Sequence, residues 1–239
     1  MWQVLSRRPR VLVLDDDADV KDFVEEVEAA DPPLTPVQFP NTHADVARGV
    51  YDLASPAAAR LGKRLATYFA RRSPITQVCL KRYGPGETGD LDEPHVDRSH
   101  HPQTYGRAMR WTALIHFGDN GGTRFPVASL DVAARRGRLV LFASSTADGA
   151  EDPRSVHQGY RTQNASRDLA IVGWDGVGDD VELRGAHECI DHESFEVRAD
   201  FFGRTLMEEL RDVAGTVGSH RRGEALARLT SLLAHKPSR

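Results

Sequence analysis

The triplet His95-Val96-Asp97 sets two metal-ligand side chains two residues apart, and His157 and Arg167 follow further along the chain. On an extended segment, residues i and i+2 point to the same face, so His95 and Asp97 can hold one ion from a single strand end. A second imidazole then has to come from elsewhere in the fold. Two imidazoles and one carboxylate on one face of an octahedral ion suit non-haem Fe(II), which keeps open positions for a co-substrate and dioxygen. A lone H-x-D triplet is common by chance, so its surroundings decide its weight.

The elements that position these residues are predicted from periodicity. Arg10 to Leu14 reads as a short strand. Asp17 to Ala30 reads as a helix with Val20, Phe23, Val24 and Val27 on one stripe, ended by Asp31-Pro32-Pro33. Thr42 with Asp45 predicts a helix start. Ser55-Pro56 predicts another, whose Leu61, Leu65 and Phe69 recur on one apolar face fit to cover a sheet. After Ser73-Pro74 the period becomes strand-like. Candidate strands are Ile75 to Tyr83, Arg110 to Phe117, Thr123 to Phe125, Arg138 to Ala143, Ser155 to Gln158 and Asp168 to Trp174. Short strands at this spacing predict a mostly β fold, an antiparallel sandwich or jelly roll, with flanking helices. Phe195, Phe202, Leu206, Leu210 and Val213, then Leu226, Leu229 and Leu233, predict closing helices. The expected organisation is supporting elements over 1–74, a β core over 75–180 and a helical extension over 181–239, all in one structural domain.

At 239 residues the chain suits one large domain, and its 40% hydrophobic and 28% charged residues are an ordinary soluble balance. A net charge of −4 gives no electrostatic footprint for nucleic acid or an anionic membrane. The apolar run Val11 to Leu14 is too short for a signal-peptide core or a membrane span. Cys79 and Cys189 stand apart without C-x-x-C spacing, so neither a disulfide framework nor a zinc ribbon is expected. A cytoplasmic monomer or homodimer is the default. Val11 to Asp16 resembles the start of a response-regulator receiver domain, whose acidic cluster binds magnesium. The alternative is an entry strand with a solvated acidic turn.

From Gln77 to Trp174 the chain resembles a prolyl 4-hydroxylase-like, Fe(II)- and 2-oxoglutarate-dependent dioxygenase. The matching residues are Arg82-Tyr83-Gly84-Pro85-Gly86, His95-Val96-Asp97, Thr112, Gly121-Gly122-Thr123-Arg124-Phe125-Pro126, Arg136-Gly137-Arg138-Leu139-Val140-Leu141-Phe142, His157, Arg167 and Trp174. The resemblance implies a double-stranded β-helix, or cupin-like jelly roll. It also implies Fe(II), 2-oxoglutarate as co-substrate and O2, with ascorbate as an optional reductant.

The resemblance further implies His95, Asp97 and His157 as catalytic metal ligands and Arg167 as partner of the distal 2-oxoglutarate carboxylate, which its planar fork matches. An ordinary ion pair with Asp168 is the alternative. Tyr83, His116 and Thr112 fall at co-substrate-binding positions, Tyr83 having a core aromatic as its alternative. His116 stands where relatives often carry tyrosine, and Arg167 where many prolyl hydroxylases carry lysine, so prolyl specificity stays open. An intact Asp97 favours hydroxylation over halogenation.

Between the H-x-D triplet and the next strand, Arg98, His100, Tyr105 and Arg107 are candidate substrate residues on a lid-like loop. Asp90, Asp92 and Glu93 either attract a cationic substrate or keep a turn wet. The function implied is hydroxylation of an unactivated C–H bond of an amino-acid-like small molecule or short peptide, releasing succinate and CO2. The alternatives are a peptidyl-prolyl 4-hydroxylase acting on a protein and a non-catalytic iron or 2-oxoglutarate sensor.

Overall fold

Strand β7 (Trp111–His116) is buried at every residue, which requires cover on both of its faces. The structure, a computed structural model, describes residues 2–7, 9–39, 42–69, 74–98, 108–146 and 149–174. In chain order its other elements are β1 (Trp2–Arg7), β2 (Arg10–Leu14), α1 (Ala18–Ala30), β3 (Thr35–Val37), β4 (Val46–Asp52), α2 (Pro56–Tyr68), β5 (Gln77–Tyr83) and β6 (Gly89–Asp90). After β7 come β8 (Gly122–Phe125), β9 (Leu130–Ala133), β10 (Leu139–Ala143), β11 (Gln158–Arg161) and β12 (Arg167–Trp174). An eight-stranded antiparallel sheet runs β1-β2-β10-β7-β12-β5-β4-β3, and a four-stranded sheet runs β6-β11-β8-β9. The closing helices expected between Phe195 and Leu233, and His100, Tyr105, Arg107 and Cys189, lie outside the described residues.

One face of the large sheet meets the small sheet. Val11 and Val13, Val140 and Phe142, Leu114, Leu169, Tyr83 and Val46 pack there with Phe125 and Val132 of the small sheet in one cluster. Because side chains alternate along a strand, the same face carries Thr112 and His116 of β7, Arg167 of β12, Lys81 of β5 and Arg48 of β4. The opposite face takes the helices: Phe23 of α1 packs edge-on to Phe117 and Tyr51, each at 6.0 Å between ring centroids, and Phe69 reaches Trp174 at 6.5 Å. Each fully buried Phe or Leu in these layers contributes roughly 1.5–3 kcal/mol.

Local chemistry sets the helix ends. Asp17 caps α1 by accepting from the Val20 amide at 3.3 Å, and Asp31 ends it in the left-handed region at φ 39°. Ser55 caps α2, with Pro56 in the first turn. At Gly62 a Cβ would collide with the Ile75 carbonyl, so α2 lies backbone-close to the segment entering β5.

Two sequence expectations fail here. No helix starts at Thr42: the chain runs on into β4, which pairs with β5 over seven residues, Val46 to Asp52. The strand expected over Ser155 to Gln158 is a 3-10 turn, Pro153–Ser155, followed by β11. Strands β1, β3, β4, β6 and β9 were not anticipated. The acidic run after β2 is not a magnesium cluster: Asp15 pairs with Arg138 at 2.7 Å, Asp16 with Lys21 at 2.8 Å and Asp17 with Arg64 at 2.6 Å. Among the described residues no helix is long and apolar enough to cross a membrane.

Candidate metal centre

His95 and His157 are brought face to face by their own backbones. Outside the named strands they form an isolated antiparallel bridge, with amide-to-carbonyl distances of 2.9 and 2.8 Å. The ring Nδ1 of His95 lies 2.8 Å from the Glu93 carbonyl, and that of His157 lies 3.0 Å from the Ser155 carbonyl. A carbonyl only accepts, so each Nδ1 carries a proton, and Nε2 is the ring atom left to meet a metal. Asp97 Oδ1 is 3.9 Å from His95 Nε2, and Asp97 Oδ2 is 3.7 Å from His157 Nε2. The three ligand atoms lie within 4.8 Å of one another. From β7, the Thr112 hydroxyl donates to Asp97 Oδ2 at 2.7 Å.

The electrostatics suit a cation. Burial alone would raise the Asp97 carboxyl, but the facing His157 and His95 rings, the Thr112 hydroxyl and the Lys81 ammonium hold it below the usual carboxylate range. Burial holds His157 below an ordinary imidazole, against the pull of Asp97. A charged carboxylate and a neutral imidazole are the forms a divalent ion needs.

The turn beneath His157 is also tightly fixed. Arg154, 5% exposed, pairs bidentately with the fully buried Asp152 at 2.8 Å for each bond, and Ser155 Oγ donates to the Asp152 carbonyl at 2.7 Å. That turn supplies the Ser155 carbonyl on which the His157 ring is oriented.

Along the same inner face lies a second polar group. Arg167 is 4% exposed, and its only hydrogen bond among the described residues is a 3.4 Å contact to Thr123 Oγ1, leaving Nε unpartnered. Asp168, its chain neighbour, instead holds Arg82 at 2.9 Å. Arg167 therefore has no carboxylate in contact among the described residues. His116 is fully buried with both ring nitrogens unpartnered. Burial, then Arg167 and Arg138, hold it well below an ordinary imidazole, so the ring is neutral. A buried cation and a buried ring without partners are costly, and a carboxylate ligand would satisfy both. The space for it rests on Gly159: a Cβ there would stand 2.6 Å from Arg167 Nη1 and 3.0 Å from Asp92 Oδ2.

Tyr83 lies beside Arg167, whose guanidinium carbon is 5.8 Å from the ring centre, and its hydroxyl donates to Asp92 Oδ2 at 2.6 Å. Asp92 is no wet turn residue. It is buried, and its other oxygen takes Thr42 Oγ1 at 3.3 Å and faces Lys81 Nζ at 3.6 Å. Asp90 does sit outside, paired with Arg124 at 2.9 Å. Arg98, next to Asp97, forms an ion pair with Glu151. Sequence reasoning missed Lys81 and the role of Asp92. Lys81 was findable, because it stands two residues from Tyr83 on one strand and must share its face.

The fold and this cluster define a double-stranded β-helix with a two-histidine, one-carboxylate centre inside it. No protein-family profile and no curated protein matches the sequence. Solved structures do match the fold. A viral collagen prolyl hydroxylase from Paramecium Bursaria Chlorella virus-1, solved as a 2OG complex, is 13% identical, covers 68% of this chain and 94% of its own, and gives a TM-score of 0.53. A prolyl-4-hydroxylase from Pseudomonas putida is 16% identical over 72% of this chain and 90% of its own, with a TM-score of 0.47.

Proposed function

We propose that the chain is an Fe(II)- and 2-oxoglutarate-dependent dioxygenase that hydroxylates an unactivated C–H bond of an amino-acid-like small molecule or short peptide. The observation that carries the reading is Arg167, a buried guanidinium lacking a carboxylate in contact among the described residues, beside a His-Asp-His cluster whose ligand atoms lie within 4.8 Å of one another. A pure binding jelly roll has no use for both. The viral neighbour, a prolyl hydroxylase solved as a 2OG complex, agrees with this pairing.

In this reading His95, Asp97 and His157 hold the iron, which when bound supplies the oxidation by O2 coupled to loss of CO2 from 2-oxoglutarate. Thr112 keeps Asp97 from rotating. Arg167 holds the distal carboxylate of the co-substrate, and a neutral His116 donates one N–H to it. Tyr83 is placed beside them by Asp92. The apolar side chains around this pair, Leu169, Leu114 and Phe142, keep water from the co-substrate.

Calorimetric titration of 2-oxoglutarate into the Mn(II)-loaded protein, with Arg167→Leu alongside, tests the reading. Expected is metal-dependent binding that the variant loses while still taking up metal. Absence of binding by the parent protein would refute it. Succinate release on a panel of free amino acids and short peptides then locates the substrate.

A further inference from the structure

We infer that Arg48 and Lys81 form a second anion subsite, on strands β4 and β5, that receives a carboxylate of the oxidised substrate. This assignment rests on the oxygenase reading for the word substrate, while the subsite itself rests on the side chains alone.

The two residues are register partners across β4 and β5 and share the inner face with Tyr83 and Val46. Both lean on one aromatic: the Arg48 guanidinium carbon is 5.4 Å and Lys81 Nζ 5.6 Å from the Phe39 ring centre. Lys81 Nζ also sits 4.3 Å over the Tyr83 ring. Burial pushes the Lys81 ammonium below its ordinary range, with Arg48 and Arg167 adding to the push and Asp92 and Asp97 opposing it.

Two cations side by side repel unless an anion lies between them. Among the described residues the carboxylate paired with Lys81 is Asp92, which does not pair with Arg48 and already accepts from Tyr83 and Thr42. Arg48 directs its donors to a cysteine sulfur, with Nε at 3.1 Å and Nη2 at 2.9 Å from Cys79 Sγ, and has no carboxylate partner among the described residues. A guanidinium on a cysteine sulfur lacks the carboxylate its fork matches.

The charges point to one further anion. Set Fe(II) and Arg167 against Asp97 and the two carboxylates of 2-oxoglutarate, and Lys81 against Asp92; of these described groups Arg48 is left unbalanced. One singly charged carboxylate neutralises it. The way in is open, because the next inner-face row along the strands contains Val50, 66% exposed, and the half-buried Cys79.

Cys79 reports on the subsite directly. The full-length protein is alkylated with iodoacetate or iodoacetamide, and peptide mapping separates Cys79 from Cys189. The ratio of anionic to neutral rate at Cys79 is expected to exceed that of Arg48→Gln by on the order of tenfold, from focusing of an anion by the paired cations. Arg48→Lys, which keeps the charge, should retain most of the ratio, and acetate but not acetamide should protect. A ratio within twofold of the glutamine variant overturns the subsite. Saturating 2-oxoglutarate on the Mn(II) protein should leave the ratio in place, and Arg48→Gln should bind 2-oxoglutarate as tightly as the parent. Loss of the ratio, or weaker binding, would give Arg48 to the co-substrate and overturn the substrate assignment. If the parent binds no 2-oxoglutarate, the oxygenase reading fails and takes the substrate assignment with it, while the labelling ratio still decides whether the anion subsite exists.

Discussion

Thr112→Val replaces a hydroxyl by a methyl of nearly the same volume at a site only 1% exposed, so packing hardly changes and the 2.7 Å bond to Asp97 is what is lost. A hydrogen bond to a charged acceptor contributes about 1.5–3 kcal/mol. The bond exists with or without metal, so part of that sum appears as lower stability of the metal-free fold. The rest appears in metal affinity, because a carboxylate pinned at Oδ2 presents Oδ1 toward His95 Nε2, 3.9 Å away, without paying for alignment. Outer-shell partners of this kind are worth roughly 10–100-fold in affinity. We expect Mn(II) or Zn(II) binding, read by competition with a chromophoric chelator, to weaken by about tenfold in Thr112→Val. Urea unfolding of the apo protein should shift by about 1 kcal/mol. Unchanged metal affinity beside a clear loss of stability would refute the orienting role and leave Thr112 as a structural hydroxyl.

Arg167→Leu should weaken 2-oxoglutarate binding by roughly a hundredfold or more, since leaving a buried charge unpaired costs about 3–5 kcal/mol; calorimetry with metal present measures it. Gly159→Ala should do nearly the same without removing any charge, because its Cβ would crowd Arg167 Nη1 at 2.6 Å, and normal co-substrate affinity would show that the cradle gives way freely. Tyr51 and Tyr160 donate to Glu26 and Asp131 at 2.8 and 2.7 Å, and burial followed by these carboxylates pushes both hydroxyls up to about 12. Folded values above the unfolded value near 10 mean that their contribution is complete below about pH 10 and fades toward about pH 12. Thermal melts across that window should fall more steeply in the parent than in a Tyr51→Phe, Tyr160→Phe double variant, and parallel curves would count against it.

The parts legible in the sequence are those written in local chemistry. Asp17 and Ser55 announced the starts of α1 and α2, and β2 runs from Arg10 to Leu14 as its alternating valines and leucines suggest. His95 and Asp97 were readable as a pair because i and i+2 share a face, and the structure brings His157 to them within 4.8 Å. What escaped was set by pairing across distance. Val46 to Asp52 offers little of its own to choose strand over helix, and β5 decides it through seven register pairs. Asp92 looks like any acid in a polar turn until Tyr83, Thr42 and Lys81 are brought around it from three other segments.

The bridge between Arg98 and Ala108 closes the base of the segment that leaves the metal ligands, and Met109 ties back to the Asp97 carbonyl at 3.0 Å. The two ties act as a staple, so Asp97 is held from the Ala108–Met109 side as well as by Thr112. Doubling the length of a closed loop adds only about 0.6 kcal/mol of closure entropy. Insertions in the sequence between Arg98 and Ala108 should therefore leave metal affinity nearly constant.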